Sequence, residues 1–302
     1  MVFDEPTLIA YDKRSNRVIG IGNEARDVVG RVSGYVVVER PIRDGRISST
    51  ELLDHYVQAL MRALAVRRFS RPKAIVALPA SATLVESRSL MAALRNAGLS
   101  EVKSLDNVIA SAIGMGFDVN GPIGLMVVNL GAATTLSGIV AFGGLVAESH
   151  AFCGGSDLDR AISELIKYRS NASIDESTAE DVKFALAKVG YEPAKYASSL
   201  MGRDLASGIP LTVEIDEASV RDVIADPIKR VIDVILDNLS HCPAELVQDL
   251  VTSGVQLCGG HSQLPGLAAE IQDSVKVPVH LSGEPRYAVA RGLAKYGLSV
   301  HN

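Results

Sequence analysis

Residues 124–135 read GLMVVNLGAATT, and the way this stretch is taken decides the fold. It lies in a segment between Asp118 and Glu148 that carries no charged residue, long enough to be mistaken for a membrane span. Asn129, Thr134 and Thr135, with Gly residues at 124, 131, 138, 143 and 144, argue against a span. They cut the segment into strand-length pieces joined by turns. Strand character recurs as GLMVVNL, TTLSGIVA and GLVAESHAF. Gly131 permits a tight turn after the first of these, and successive backbone N–H groups of such a turn can face an anion.

Upstream, KAIVALP (residues 73–79) is a near-continuous apolar run of the kind found in buried parallel strands. Ser48 to Thr50 cap an expected helix from Glu51 to about Arg68, with an apolar stripe of Leu53, Tyr56, Val57, Leu60, Met61 and Leu64. A second helix is expected from about Ala82 to Asn96, ended by Gly98. EVKSLDN reads as a strand entering a helix through Ile109, Ala112 and Ile113. At the start, PTLIAYD and RVIGIG pair across a polar turn from Lys13 to Asn16.

Downstream, helices are expected to dominate, with starts near Asp157, Thr178, Asp216 and Pro243. A final unit follows: strand GVQLCGG, helix from Ser262, strand PVHL, helix from Glu284. The alternation indicates an α/β protein with mostly parallel sheets. Gly121-Pro122 is the expected boundary between its halves.

The 302 residues suffice for two domains with a sizeable core, and 47% hydrophobic with 22% charged residues is an ordinary globular composition. A formal net charge of -5 argues against general nucleic-acid binding, which needs a basic surface. Cys153, Cys242 and Cys258 are odd in number and scattered, which fits a reducing cytoplasm rather than a disulfide framework. Cys258 and His261 make half of a zinc pattern with no second half, so no metal is assigned. The opening MVFDEPTLIAYDKR lacks a basic region followed by an apolar core, so no signal peptide is expected.

A second glycine turn, LCGGHSQLPGL, brings a strand into a helix through Gly259-Gly260, where phosphate or a purine can approach the backbone. Alone, such a turn is most often structural. In order along the chain, however, stand IRDGRISSTELLDHYVQALM, RPKAIVALPASATLVESRSL, AIGMGFDV, MVVNLGAATT, CGGSDLDRAI, TAEDVK, NLSHCPAELVQDLVTSGVQLCGG and VPVHLSGEPRYAVARGLAKYGL. With these motifs the chain resembles the MreB/Mbl-type bacterial actins over essentially its whole length.

The resemblance implies the actin-like fold shared with heat-shock chaperones and sugar kinases, two lobes around a nucleotide cleft. Residues 1–121 would form the first lobe (subdomains IA and IB) and 122–302 the second (IIA and IIB, with IIB about 166–222). It implies filaments at the inner face of the membrane, self-association or co-assembly with other bacterial actins, and partners among shape-determining and wall-synthesis membrane proteins. A non-polymerising adaptor and a residual ATP-binding ATPase are the alternatives.

The same resemblance implies a degenerate catalytic apparatus. The family's first phosphate hairpin precedes the residues that MVFDEP resembles, so the first lobe is expected to lack its initial strands. Asn129 occupies the metal-directing position, Ala132 and Ala133 replace glycines, and Asn107, after Asp106, occupies the water-positioning one. No catalytic residue and no firm cofactor are therefore expected; ATP with Mg²⁺ is the one to consider, bound weakly. Gly131, Thr134, Thr135, Glu180, Lys183, Gly259 and Gly260 remain as a vestigial nucleotide site. The ordinary alternatives are a surface ion pair of Glu180 with Lys183 and hydroxyls that bond backbone. His261 replaces the next family glycine, and either crowds a purine or points to solvent. Finally, Arg67, Arg68, Phe69 and Arg71 in AVRRFSRPK resemble a loop at which some MreB proteins touch lipid; a solvated basic turn is the alternative.

Overall fold

The computed structural model describes residues 1–29, 31, 34–66, 72–190 and 196–300. The chain divides into two compact units, Met1–Asp106 and Asn107–Asn302.

The first unit opens with β1 (Ile9–Asp12), β2 (Arg17–Ile21), α1 (Gly22–Asp27) and β3 (Val36–Glu39). The strands form an antiparallel sheet in the order β2-β1-β3. A small hairpin follows, β4 (Ile42–Arg43) and β5 (Arg46–Ile47), turned by Asp44-Gly45 at positive φ. Helix α2 (Thr50–Ala63) starts where Ser49 Oγ accepts from Leu52 N at 3.3 Å. It stops short of the expected Arg68. Its buried Leu52, Leu53, Tyr56 and Val57 share a core with Ala93 and Leu94 of α3 (Leu84–Asn96). β6 (Lys73–Leu78) and β7 (Glu101–Asp106) run parallel, Lys73 opposite Glu101.

The second unit begins with α4 (Asn107–Met115), β8 (Leu125–Leu130), β9 (Thr135–Ala141) and β10 (Gly144–Ala151). Then come α5 (Gly155–Ser170), β11 (Ala172–Ser173), α6 (Glu176–Leu186), β12 (Ala197–Asp204) and β13 (Pro210–Asp216). α7 (Glu217–Ser240), α8 (Val247–Ser253), β14 (Val255–Cys258), α9 (Leu267–Val275), β15 (Val279–Leu281) and α10 (Ala288–Val300) complete it.

Its main sheet has the order β10-β9-β8-β14-β15. Met126, Val128 and Leu130 of β8 point into a core with α5, α7 and α9, while Leu125 and Val127 join Val108, Ala112 and Ala288 on the other face. That strand therefore reads as a continuous apolar run because helices cover both sides of it. The α4–α10 pair crosses at Gly114 and Gly292, where an added methyl would overlap the carbonyl oxygens of Ala288 and Ala110. This crossing places α4 with the second unit, so the compact units divide upstream of Gly121-Pro122.

Two expectations are corrected. The sheets are not mostly parallel: β8–β9–β10 are antiparallel, and only β8–β14 and β14–β15 are parallel in the main sheet. Tight turns such as Phe142-Gly143 can join only antiparallel neighbours. Helices dominate the described residues after Cys153 as expected, and β11, β12 and β13 add a separate antiparallel sheet. The expected helix starts near Pro243, Ser262 and Glu284 are short 3-10 turns at Ala244–Leu246, Gly260–Gln263 and Pro285–Tyr287, with the α-helices beginning later. Among the described residues no helix is long and apolar enough to cross a membrane.

Candidate functional site

The turn between β8 and β9 closes through Gly131 N donating to Thr134 O at 2.9 Å. Its outward carbonyls then cap α5: Gly155 N donates to Gly131 O at 3.1 Å and Ser156 N to Ala132 O at 2.7 Å. Two N–H groups that a helix start leaves unpaired are thereby satisfied. Asp157 accepts from Gly154 N at 2.9 Å and completes the cap. Gly154 must be glycine, since a methyl there would stand 2.5 Å from Gly131 O and 2.7 Å from Ala132 O. β14 runs beside β8 with Cys258 opposite Asn129, and leaves the sheet at Gly259, φ +85°. A methyl on Gly259 would meet Leu130 O and lie 2.6 Å from Asn129 Oδ1. Hairpin, α5 start and β14 exit thus converge at the carboxyl ends of two parallel strands, the usual place for a ligand in an α/β sheet.

At the end of β8, Asn129 is 8% exposed. Its Nδ2 donates to Asn107 Oδ1 at 3.0 Å and lies 3.3 Å from Ser111 Oγ. Ser111 Oγ in turn donates to Asn107 O at 2.8 Å. The side chains at the two positions named from the sequence are bonded to one another. A Mg²⁺ site wants carboxylate or water oxygens in octahedral array. These neutral amides, engaged with each other, do not fit that ion. Among the described residues no group of three His, Cys, Asp or Glu could hold a metal.

Lys183 projects inward from α6. Its Nζ lies 2.8 Å from Asp159 Oδ1 and 2.9 Å from Oδ2, and 3.3 Å from Gly155 O. Both partners are nearly buried, Lys183 at 8% and Asp159 at 7% exposure. Burial raises the Asp159 carboxyl above its ordinary pKa, with Lys183 opposing and Glu180 adding to the rise. The alternative of a surface ion pair between Glu180 and Lys183 is therefore not what forms; Lys183 is committed to an acid on a different helix.

His261 does not point to solvent: it is 8% exposed. Burial and the nearby Lys183 charge hold its pKa down at about 4, against the pull of Asp157. A methyl on Gly155 would stand 3.6 Å from Lys183 Nζ and 3.8 Å from His261 Cβ, so all three share one small volume.

Gly131, Thr134, Lys183, Gly259 and Gly260 are thus brought to the same end of the second unit. Thr135 is there too, but its hydroxyl donates to Cys153 O at 2.9 Å and serves the backbone. Half-buried Glu180 lies on α6 beside them. In the sequence Asp157 reads only as a helix start and Asp159 is not singled out, though GGSDLD at a helix start is a legible capping signal. Arg67, Arg68, Phe69 and Arg71 lie outside the described residues.

Residues 1–301 match the family model described as MreB/Mbl protein. The chain is 32% identical to the cell shape-determining protein Mbl of Bacillus subtilis, covering 97% of this chain and 88% of that protein. It is 28% identical to the cell shape-determining protein MreB of Escherichia coli K12, covering 98% and 87%. The crystal structure of MreB5 of Spiroplasma citri bound to ADP superposes with a TM-score of 0.90 at 25% identity, over 99% of this chain and 90% of that one. A MamK double helical filament gives 0.80 at 18% identity over 98% and 92%, a likeness of fold.

Proposed function

The chain belongs to the MreB/Mbl family and has the actin-like fold, and from that premise we propose a cell-shape cytoskeletal protein that self-assembles but does not hydrolyse nucleotide. Assembly follows from the family, whose relatives bear the name of cell shape determinants. Loss of hydrolysis rests on one observation, the hydrogen bond between Asn129 and Asn107. Phosphoryl transfer needs a metal to balance charge and a group that orients water. Here both positions hold neutral amides that satisfy each other. The glycine-lined backbone around Gly131, Gly259 and Gly260 supports weak binding of ATP or ADP without turnover.

The same reading takes 1–121 and 122–302 as the two lobes, co-assembly with other bacterial actins, and association with shape-determining and wall-synthesis membrane proteins at the inner face of the membrane. A lipid contact at Arg67, Arg68, Phe69 and Arg71 belongs to it as well. Pelleting with and without MgATP, with released phosphate measured in the same samples, tests it. Pelleting without phosphate release is the expected result; a soluble protein at all concentrations would favour the adaptor.

A further inference from the structure

The side chain that follows Gly259-Gly260 is an anomaly. Both ring nitrogens of His261 are enclosed, with no hydrogen-bond partner among the described residues. A neutral imidazole carries one donor and one acceptor, and each left unpaired in the interior destabilises the fold. Folded proteins rarely keep such groups without a reason. The ring stands near Gly155, at the start of the sixteen-residue helix α5, and near the Lys183 ammonium of α6. Asp157 of α5 is the acid whose charge it feels, and Asp159 holds Lys183. Gly260, beside it, is exposed; a methyl there would meet nothing within 4 Å, and its φ is not positive. Neither packing nor backbone conformation requires glycine at that position, whereas close approach of a ligand would use it.

We propose that His261 is a displaceable plug: its ring fills ligand space beside Lys183 and the first turn of α5, and swings out when a nucleotide seats. The proposal rests on reading this region as the nucleotide site. Swinging out returns both ring nitrogens to water or to ligand oxygens, which offsets part of the packing lost. The plug is therefore held lightly. The direction of its pH dependence follows from the depressed pKa. A buried ring at about 4 against 6.5 when free stabilises the closed arrangement above 6.5, and that stabilisation is lost as pH falls toward 4. Nucleotide binding should therefore strengthen on acidification through this window, and the dependence should vanish without the imidazole.

The test is calorimetry with MgADP on the full chain, comparing wild type with His261→Gly and His261→Ala. If the ring is out in roughly one molecule in a hundred, apparent affinity rises about a hundredfold when it is removed. An independent readout is the His261 ring resonance in wild type, whose pKa should move from about 4 toward 6.5 at saturating MgADP. Should the variants fail to fold, the ring titration alone decides. Equal or weaker affinity in folded variants overturns the plug, as does a ring pKa unmoved by saturation. Failure of wild type and variants alike to bind MgADP also overturns it, while assembly without hydrolysis, read by pelleting, would stand. Phosphate release by the wild type would sink the reading of assembly without hydrolysis and leave the plug intact.

Discussion

Two parts of the site lie side by side and are held in place differently. The backbone part consists of the β8–β9 turn capping α5 and the exit of β14 through Gly259. It tolerates no side chain at Gly154 or Gly259. The side-chain part consists of Asn129, Asn107, Lys183 and His261, and these bond to neighbours within the protein or to nothing. Glycines that hold the turns together are kept by packing, whatever the ligand does. Groups whose only work is on a metal or a water carry no such constraint. Amides can stand at such positions without cost to the fold, provided they satisfy each other.

That contrast can be broken most forcefully at the glycines. Gly259→Ala should cost about 3–5 kcal/mol in urea unfolding, since a methyl must displace the Leu130 carbonyl at a positive φ. Gly260→Ala, one residue on and in open space, should stay within about 0.5 kcal/mol. Equal effects would mean that packing does not distinguish them.

Next in size is Lys183→Met, which strands the buried Asp159 carboxylate and should cost about 3 kcal/mol at neutral pH. The folded pKa of Asp159 is already raised above 3.8. The deficit should thus shrink as pH falls and the acid takes up a proton. Adding Asp159→Leu should recover much of the loss, because the uncompensated charge is then gone.

His261 sharpens the comparison through pH. Between 6.5 and about 4 the wild type should lose stability relative to His261→Gln by about 3 kcal/mol in all. Parallel pH–stability curves for the two proteins would contradict the buried, neutral ring.

A smaller effect than at His261 is expected at Asn129→Asp, about 1–2 kcal/mol, because an oxygen replaces the donor that now serves Asn107, and the Asn107 amide must turn over. Combined with Asn107→Glu, two carboxylates would face each other, and millimolar Mg²⁺ should raise the melting temperature of that variant alone.

How far the sequence could be read is shown by two strands. KAIVAL reads as a buried parallel strand and LMVVNL simply as a strand before a tight turn. β8 is buried at every residue, with β9 and β14 on its edges and helices on both faces. No residue of β6 is fully buried, and among the described residues it pairs with β7 alone. An apolar run reports what a strand can bury, and its neighbours decide what it does bury. β12, ASSLMGRD, was missed because its alternation between half-buried and exposed positions is carried by small and polar residues. The glycines of the site were legible from their order along the chain. The Asn129–Asn107 bond spans 22 residues and the Lys183–Asp159 pair spans 24, so neither is visible until the chain is folded. Whether His261 faced inward or outward was likewise a matter of packing.

The most direct measurement is inorganic phosphate released by the pelleted, assembled protein in MgATP, set against buffer and against the supernatant. Neutral amides at residues 107 and 129 predict a pellet that forms while phosphate stays at the level of the buffer. Phosphate that accumulates with the pellet, in proportion to the protein in it, would contradict the account.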